Sequence, residues 1–583
     1  MTQLAGALGF SDDWPTEIVA KEVASSTANG AFLGSTLIYT DRHLTLYSVN
    51  RYGDSEPPPV CIDGVTERSW VFGDISCSDW GLLGNQNGAI NFDELSQRRM
   101  PGRWAVLGYD SGTGALRIAV DRLGVMWLYV GRVRGGYVFS SDFGAAAKAI
   151  APGLTLDRDA VLSELIVGYS PNNATVFNEI TMAPPGSTLY LESGGARTKR
   201  HSPIEYGDRF AGLSREKKFS RLDEVNDKIA STMLRQAGKD LALSLSAGFD
   251  SRFILGILNG GGISPHLYTF GHPDSDEVVN AREVAKCIQL STALVDIPDP
   301  QWRIWERMIK QFGNTGMAQW VGWGDLWAEY LGSRENHIVI GFLGDILTGK
   351  SLGSNAQSCD DWEGQYFDFL TDGGWLSSPL LRPQARRRVI SEVREQLQFG
   401  LQDAEFAFPH QKAMHLNLYG RQRRHTGAQP NVLCRSVLPI LPFYIDEVID
   451  FWCNLGLQDL MKQELYLSYA ESRFSRLFPR RPSQARALFE RAWRKASRLT
   501  QAALISKRET PQRPIVIDRN RAILPHKRQI IELARRVAPI ADDIIDIDGF
   551  CQKVSNYAGE RGGDAHGQII SAVNLFLLIE LSL

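Results

Sequence analysis

LSLSAGFDSRFILG, residues 243–256, reads as a strand that gives way to a loop of small residues and then to a helix. LALSLS (241–246) is an apolar run of strand length, and SRFILGILNG (251–260) is a helical run closed by glycine. Between them Ser246, Ala247, Gly248 and Ser251 leave room for a phosphate oxygen to approach the backbone, with Leu245 and Phe249 flanking the loop. N–H groups of the first helical turn point at such an anion, and the helix dipole favours negative charge there. The hydroxyls of Ser246 and Ser251 add donors. Asp250 is out of place at a bare anion site. It fits if it holds Mg²⁺ bridging the phosphates, because Mg²⁺ takes one or two carboxylates plus phosphate oxygens. The structural alternative is a stabilising carboxylate in the first turn of a helix. No Gly-Lys-Ser/Thr follows, so this is not a Walker A loop.

Outward from the loop the chain alternates. HLYTFG (266–271) is a strand, residues 278–290 a helix, TALVDI (292–297) a strand and HIVIG (337–341) another. Strand–helix–strand alternation implies right-handed crossovers and a parallel sheet. Residues 213–236 have helical periodicity. The first ~200 residues read as β instead: AFLGSTLIYT, HLTLYSV, RWAVLGYD, ALRIAV, MWLYV, GYVFSS and STLYLE lie between Gly- and Asp-rich turns. Two domains are expected, 1–205 and 206–583. After residue 350 the pattern is helical and Arg-rich. RLFPRRPSQARALFERAWRKASR (476–498) is read as a solvated face or, more sharply, as an anionic-substrate surface.

Composition excludes several classes. The 583 residues carry 63 Lys+Arg against 66 Asp+Glu, a net charge of -3, which gives no electrostatic case for nucleic acid or a membrane surface. The 7 cysteines show no CxxC spacing and read as free thiols of a reducing compartment. The histidines form no HExxH. The N-terminus has no basic n-region, and the most apolar stretch, SAVNLFLLIELSL (571–583), holds Glu580 and reads as a buried amphipathic helix, so no membrane span and a cytoplasmic location are expected. Trp302, Trp305, Trp320, Trp323 and Trp327 recur at helical spacing, which favours core packing over a bulky-substrate cleft.

The S-A-G-F-D-S run at 246–251 resembles the S-G-G-x-D-S pyrophosphate loop of ATP pyrophosphatases, and its setting resembles the asparagine synthetase family. TFGHPDSDEVVNAREVA (269–285) is similar to that family's second strand and helix. The resemblance puts Thr269 and Phe270 near the adenine. GFLGDILTG (341–349) is similar to its acidic loop, which gives Gly344 a place beside ATP and makes Asp345 a second Mg²⁺ ligand with Asp250. Pro442, Phe443 and Asp446 keep the outline of an Arg-x-Pro-Phe-x-Asp segment. In the first half, Asp121, Arg122, Gly124 and Tyr129 resemble the Asp-Arg-x-Gly-x-x-x-x-Tyr pattern of the family's class II glutamine amidotransferase domain. The implied fold is α/β plus α+β: an N-terminal Ntn-hydrolase-like αββα sandwich, then an adenine-nucleotide α-hydrolase-like parallel-sheet domain with a helical C-terminal part.

The sequence also departs from the family. Met1-Thr2-Gln3 stands where the glutaminase has an N-terminal cysteine, so a glutaminase-inactive first domain is expected. Phe342 and Ile346 stand where the acidic loop has glutamates, so a base must come from elsewhere, with Asp360, Asp361 and Glu363 as candidates. Ala247 replaces a glycine. The resemblance then implies a ligase that adenylates a carboxylate with ATP and Mg²⁺ and passes the acyl group to an amine, as in lasso-peptide cyclases and β-lactam synthetases. Lys350, Arg252, Arg421 and Arg424 are the candidate cations, and Asp250, Asp345, Lys350 and Arg424 the catalytic set. The expected partners are small-molecule or peptide carboxylates and amines, with a precursor peptide or companion protease among them. A true asparagine synthase and a non-catalytic scaffold are the alternatives.

Overall fold

Alternation of apolar residues builds the first half as two antiparallel sheets stacked face to face. The computed structural model describes the chain except residues 1–2, 11–14, 28–33, 51–59, 64–66, 74–89, 93–94, 96–99, 101, 152, 171, 202, 247, 296–297, 299–300, 314–317, 351, 353–361, 372–373, 403, 480–519 and 560–563. The first sheet runs Ile180–Met182, Tyr129–Val133, Gly136–Ser140, Gln3–Gly9, Leu44–Asn50, Gly34–Thr40 in spatial order. The second runs Gly195–Arg200, Ser187–Glu192, Ala115–Val120, Trp104–Asp110, Glu67–Gly73, Val60–Asp63. Side chains alternate across a strand, so Leu4 and Leu8 point inward to meet Phe72, Leu107 and Ile118 of the other sheet. Ala5 and Ala7 point outward, under helices Thr16–Thr27 and Phe143–Ile150. The outer face of the second sheet, through Val71, Val106 and Ala119, is covered among the described residues by Ile90, Phe92 and Leu95.

The central strand Gln3–Gly9 has no β-forming signature, because QLAGALG is made of small residues and leucine. Packing explains it: a Cβ on Gly6 would stand 2.5 Å from the Phe139 ring. MWLYV begins as a strand only at Tyr129. Residues 125 and 126 instead turn their N–H groups onto the Asp121 carboxylate, at 2.9 and 3.0 Å.

The second half is organised by five parallel strands, β1 (Ala242–Ser244), β2 (His266–Phe270), β3 (Thr292–Val295), β4 (His337–Val339) and β5 (Leu438–Ile440). Their spatial order is β3-β2-β1-β4-β5. The chain therefore reverses its winding between β1 and β4, and in such sheets a crevice opens outside the carboxyl ends of the strands at that reversal. Helices dominate the remainder. The helix Asp564–Ile579 is apolar on every side, with Ile569, Val573, Phe576 and Ile579 all inaccessible. It is thus a core helix and not an amphipathic one. By length and composition Ala565–Ser582 could cross a membrane, yet 61% of it is buried inside the fold. Trp305, Trp323 and Trp327 are core residues, and the side chain of Trp320 lies outside the described residues.

The two halves are joined by buried polar contacts. Asp121 accepts from the hydroxyl of Tyr444, which in turn accepts the Leu123 N–H at 2.8 Å. Arg122, 3% exposed, pairs with Asp446 at 2.6 Å and Asp450 at 3.2 Å. Arg423 donates to Asn173 and the Ala183 carbonyl, and Trp127 donates to the Arg423 carbonyl. Asp142 caps the helix Phe143–Ile150 through the Ala145 N–H at 2.9 Å, beside the Lys310 backbone. Burial pushes its carboxyl up to about 7, against the pull of that N–H and of Arg435. From about pH 4 to 7 the folded state therefore holds a proton that the unfolded chain has released, and stability falls as pH rises. Asp142→Asn keeps a capping side chain and should flatten this slope by about 2 kcal/mol between pH 5 and 7.5 in urea denaturation.

Candidate active site

The loops leaving β1 and β4 meet at the reversal point. Pairing continues one residue beyond β1, because the Leu245 N–H donates to the Tyr268 carbonyl at 2.8 Å and the Thr269 hydroxyl donates to the Leu245 carbonyl. The chain then turns. Ser251 Oγ accepts the Ser246 N–H at 3.1 Å, Ser246 Oγ accepts the Gly248 N–H at 3.1 Å, and the two hydroxyls stand 3.2 Å apart. Gly248 caps helix α1 (Phe249–Gly260) in an extended conformation open to any residue, with no side-chain bond to the first turn. A Cβ there would be 3.0 Å from Ser246 Oγ, a tight contact that rotation of the serine hydroxyl relieves. Ala247 lies outside the described residues.

Asp250 projects from the first turn of α1 onto the acidic loop. Its carboxylate takes the Asp345 N–H and the hydroxyl of Tyr466, the latter at 3.2 Å, from helix α2 (Glu464–Arg473). It sits so close over Gly344 that a Cβ there would lie 2.3 Å from Asp250 Cγ. The acidic loop reaches this position through a left-handed backbone at Leu343, φ +74°. A large side chain in that region costs on the order of 1–3 kcal/mol. Thr348 ties the loop to Gly344, and Gln463 Nε2 donates to Thr348 at 2.6 Å. Burial, reinforced by the Asp345 charge, pushes the Asp250 carboxyl well above the usual carboxylate range, with Lys350 and Tyr466 opposing. Lys350 Nζ stands 2.6 Å from Asp345 Oδ2, an ion pair with both side chains about half exposed. A pair of this kind contributes little to stability, so Lys350 is free to exchange partners.

The loop, Asp250, Asp345, Gly344 and Lys350 are thus brought together. Thr269 and Phe270 close the carboxyl end of β2, with Phe270 packed 5.1 Å from Trp327. Arg252 is held between Phe249 and Phe478, 5.5 and 5.6 Å from the ring centres. Arg424 is not brought to the cluster. It is 1% exposed at the junction of the halves, donating to the Ala174 carbonyl at 2.9 Å and lying 3.6 Å from Glu164. Glu363 contacts Gln398, while Asp360, Asp361, Thr2 and most of 476–498 lie outside the described residues. Tyr466 and the strained Leu343 were not foreseen. ELYLSYA reads as an ordinary helix, and left-handed backbone at leucine leaves no mark in sequence.

Glycine at 344 is therefore a steric requirement of Asp250. Gly344→Ala should lower stability by about 1–3 kcal/mol. Adding Asp250→Ala should recover most of that loss, a coupling that denaturant melts of the two single variants and the double variant will measure.

Comparison with known proteins bears on the first half. The family model for a glutamine amidotransferase domain matches residues 92–202, which include the Asp121–Tyr129 segment. This segment of the N-terminal half is accordingly of the glutamine amidotransferase domain kind. Among solved structures, glutamine phosphoribosylpyrophosphate (PRPP) amidotransferase from B. subtilis, complexed with ADP and GMP, is similar at 12% identity, over 51% of this chain and 91% of that one, with a TM-score of 0.24. A structure of the allosteric regulatory enzyme of purine biosynthesis is similar at 13% identity, over 53% of this chain and 77% of that one, also with a TM-score of 0.24. No curated protein matches the chain.

Proposed function

We propose that this chain is an ATP-dependent, AMP-forming carbon–nitrogen ligase related to the asparagine synthases. The observation that carries the reading is the meeting of the small-residue loop 246–251 with Asp345 at the reversal of a parallel sheet. Two carboxylates pressed together at a helix N-terminus repel one another. A divalent cation relieves that repulsion while phosphate oxygens complete its shell. Among the described residues no group of three or more His, Cys, Asp or Glu could hold a metal alone. Asp250 and Asp345 match the one or two carboxylates that Mg²⁺ takes alongside phosphate oxygens. When bound, Mg²⁺ would neutralise charge on the pyrophosphate.

In the first step a substrate carboxylate oxygen attacks the α-phosphorus of ATP, and the bond to pyrophosphate breaks. Hydroxyls of Ser246 and Ser251 and the N–H groups of the first turn of α1 are placed to donate to the departing pyrophosphate. Lys350 supplies the mobile cation, the part that Arg424, fixed between the halves, does not take. Thr269 and Phe270 flank the adenine. In the second step an amine nitrogen attacks the acyl carbon and AMP leaves. The acid and the amine are small molecules or peptides, a precursor peptide or companion protease being among the partners, and the setting is the cytoplasm.

The amidotransferase-type half serves docking and not glutamine hydrolysis in this reading. Its described cysteine, Cys61, is held as a thiol, pushed up to about 11 by burial and the Asp63 charge. A thiol in that state is a poor nucleophile.

The test is ATP–pyrophosphate exchange by the full chain with pooled organic acids. Exchange should require Mg²⁺ and fall at least about 10²-fold in Asp250→Ala. Undiminished exchange in that variant would sink the assignment.

A further inference from the structure

Four non-glycine positions among the described residues hold a left-handed backbone: Gln289, Leu343, Lys462 and Gln463. Three of them border the pair of carboxylates. Leu343 starts the acidic loop, and Lys462 and Gln463, at φ +55° and +57°, belong to the turn Met461–Gln463 that leads into α2. Two successive side-chain-bearing residues in this region are costly, and such strain persists where the surrounding structure imposes it. What this turn gains is contact with both loops of the site.

The acidic loop is gripped first at its far end. Gly349, at φ +92°, lies so close to the turn that a Cβ there would stand 2.3 Å from the Leu460 carbonyl oxygen. Gln463, 4% exposed, donates through Nε2 to Thr348 Oγ1 at 2.6 Å, and Thr348 Oγ1 donates onward to the Gly344 carbonyl at 2.8 Å. That relay ends on the residue before Asp345. Three residues beyond Gln463, the Tyr466 hydroxyl donates to Asp250 Oδ1 at 3.2 Å. The Tyr466 ring is inaccessible, 4.7 Å from Phe253 and 5.9 Å from Trp452 between ring centres. Phenylalanine would fill that space equally well, so the hydroxyl is the part directed at Asp250.

We propose that Gln463 and Tyr466 are positioning residues that hold the Asp250 and Asp345 carboxylates at the spacing of a divalent cation. The inference rests on the proposed function for reading those carboxylates as Mg²⁺ ligands. Like charges move apart unless each is tethered. The bond to Oδ1 fixes the plane of the Asp250 carboxyl, and the Gln463–Thr348–Gly344 relay fixes the backbone that presents Asp345. Hydrogen bonds that orient metal ligands from one layer out are typically worth about 10–100-fold in metal affinity.

The test is calorimetric binding of α,β-methylene-ATP, whose α–β bridge does not break, to the full chain in Mg²⁺ and in EDTA. Mg²⁺ should tighten binding to the unmodified chain, and Asp250→Asn should abolish that gain. The gain should shrink about tenfold in Tyr466→Phe, which keeps the ring, and in Gln463→Met, which keeps the volume. Binding in EDTA should be unchanged in these two variants. A residue that serves packing alone would leave the gain intact or lower both affinities together, and either result overturns the role of the residue concerned. No Mg²⁺ gain in the unmodified chain overturns the proposal together with the cation reading. The expected pattern without any ATP–pyrophosphate exchange by the unmodified chain counts against the ligase reading alone.

Discussion

The structure around the site depends on one close approach: the Asp250 carboxylate lying against the backbone of Gly344. Two loops from adjacent parallel strands carry it, and each constrains the other. The small residues after β1 let α1 begin immediately, which aims Asp250 across the gap. The acidic loop must then present bare backbone, so it has glycine at 344 and accepts a left-handed Leu343 to bring the Asp345 N–H to the carboxylate. Tyr466 closes the third side, packed 4.7 Å from Phe253 on α1. A charged group held this way sits near a second charge that it cannot escape. That is an unfavourable arrangement in isolation, which the proposed Mg²⁺ would relieve.

Much of this was legible in the sequence, and the reasons differ by segment. SAGFDS stood out because small residues between a strand and a helix have few uses apart from an anion. HLYTFG and HIVIG were recognisable as strands because buried parallel strands are short apolar runs. Gln3–Gly9 was not recognisable, because its strand character comes from neighbours such as Phe139 that fill the space over Gly6. The sequence also placed Arg424 with the catalytic cations. Nothing in RQRRH marks Arg423 and Arg424 as the pair that knits the halves together; their bonds to the Ala183 and Ala174 carbonyls do so.

The arginines show how burial sorts chemically identical side chains. Arg423 is lowered to about 9 by burial beside Arg424, and its terminal nitrogens donate to the Asn173 side chain and the Ala183 carbonyl. Arg122 is raised above its ordinary value by Asp446 and Asp450 despite burial. Lys350 remains at the surface on a single exposed partner. Only the last can change partners during a reaction cycle without uncovering a buried charge.

The contacts of Arg122, Asp121 and Arg423 have a consequence for inheritance. Each buries a polar group from one half against a partner from the other. A recombination event that joined this N-terminal half to a foreign partner would strand those groups without water or counter-ion, at several kcal/mol each. The junction therefore acts as a barrier to domain shuffling. An amidotransferase-type half would then be retained by descent whatever its own reaction, because its companion cannot be packed without it.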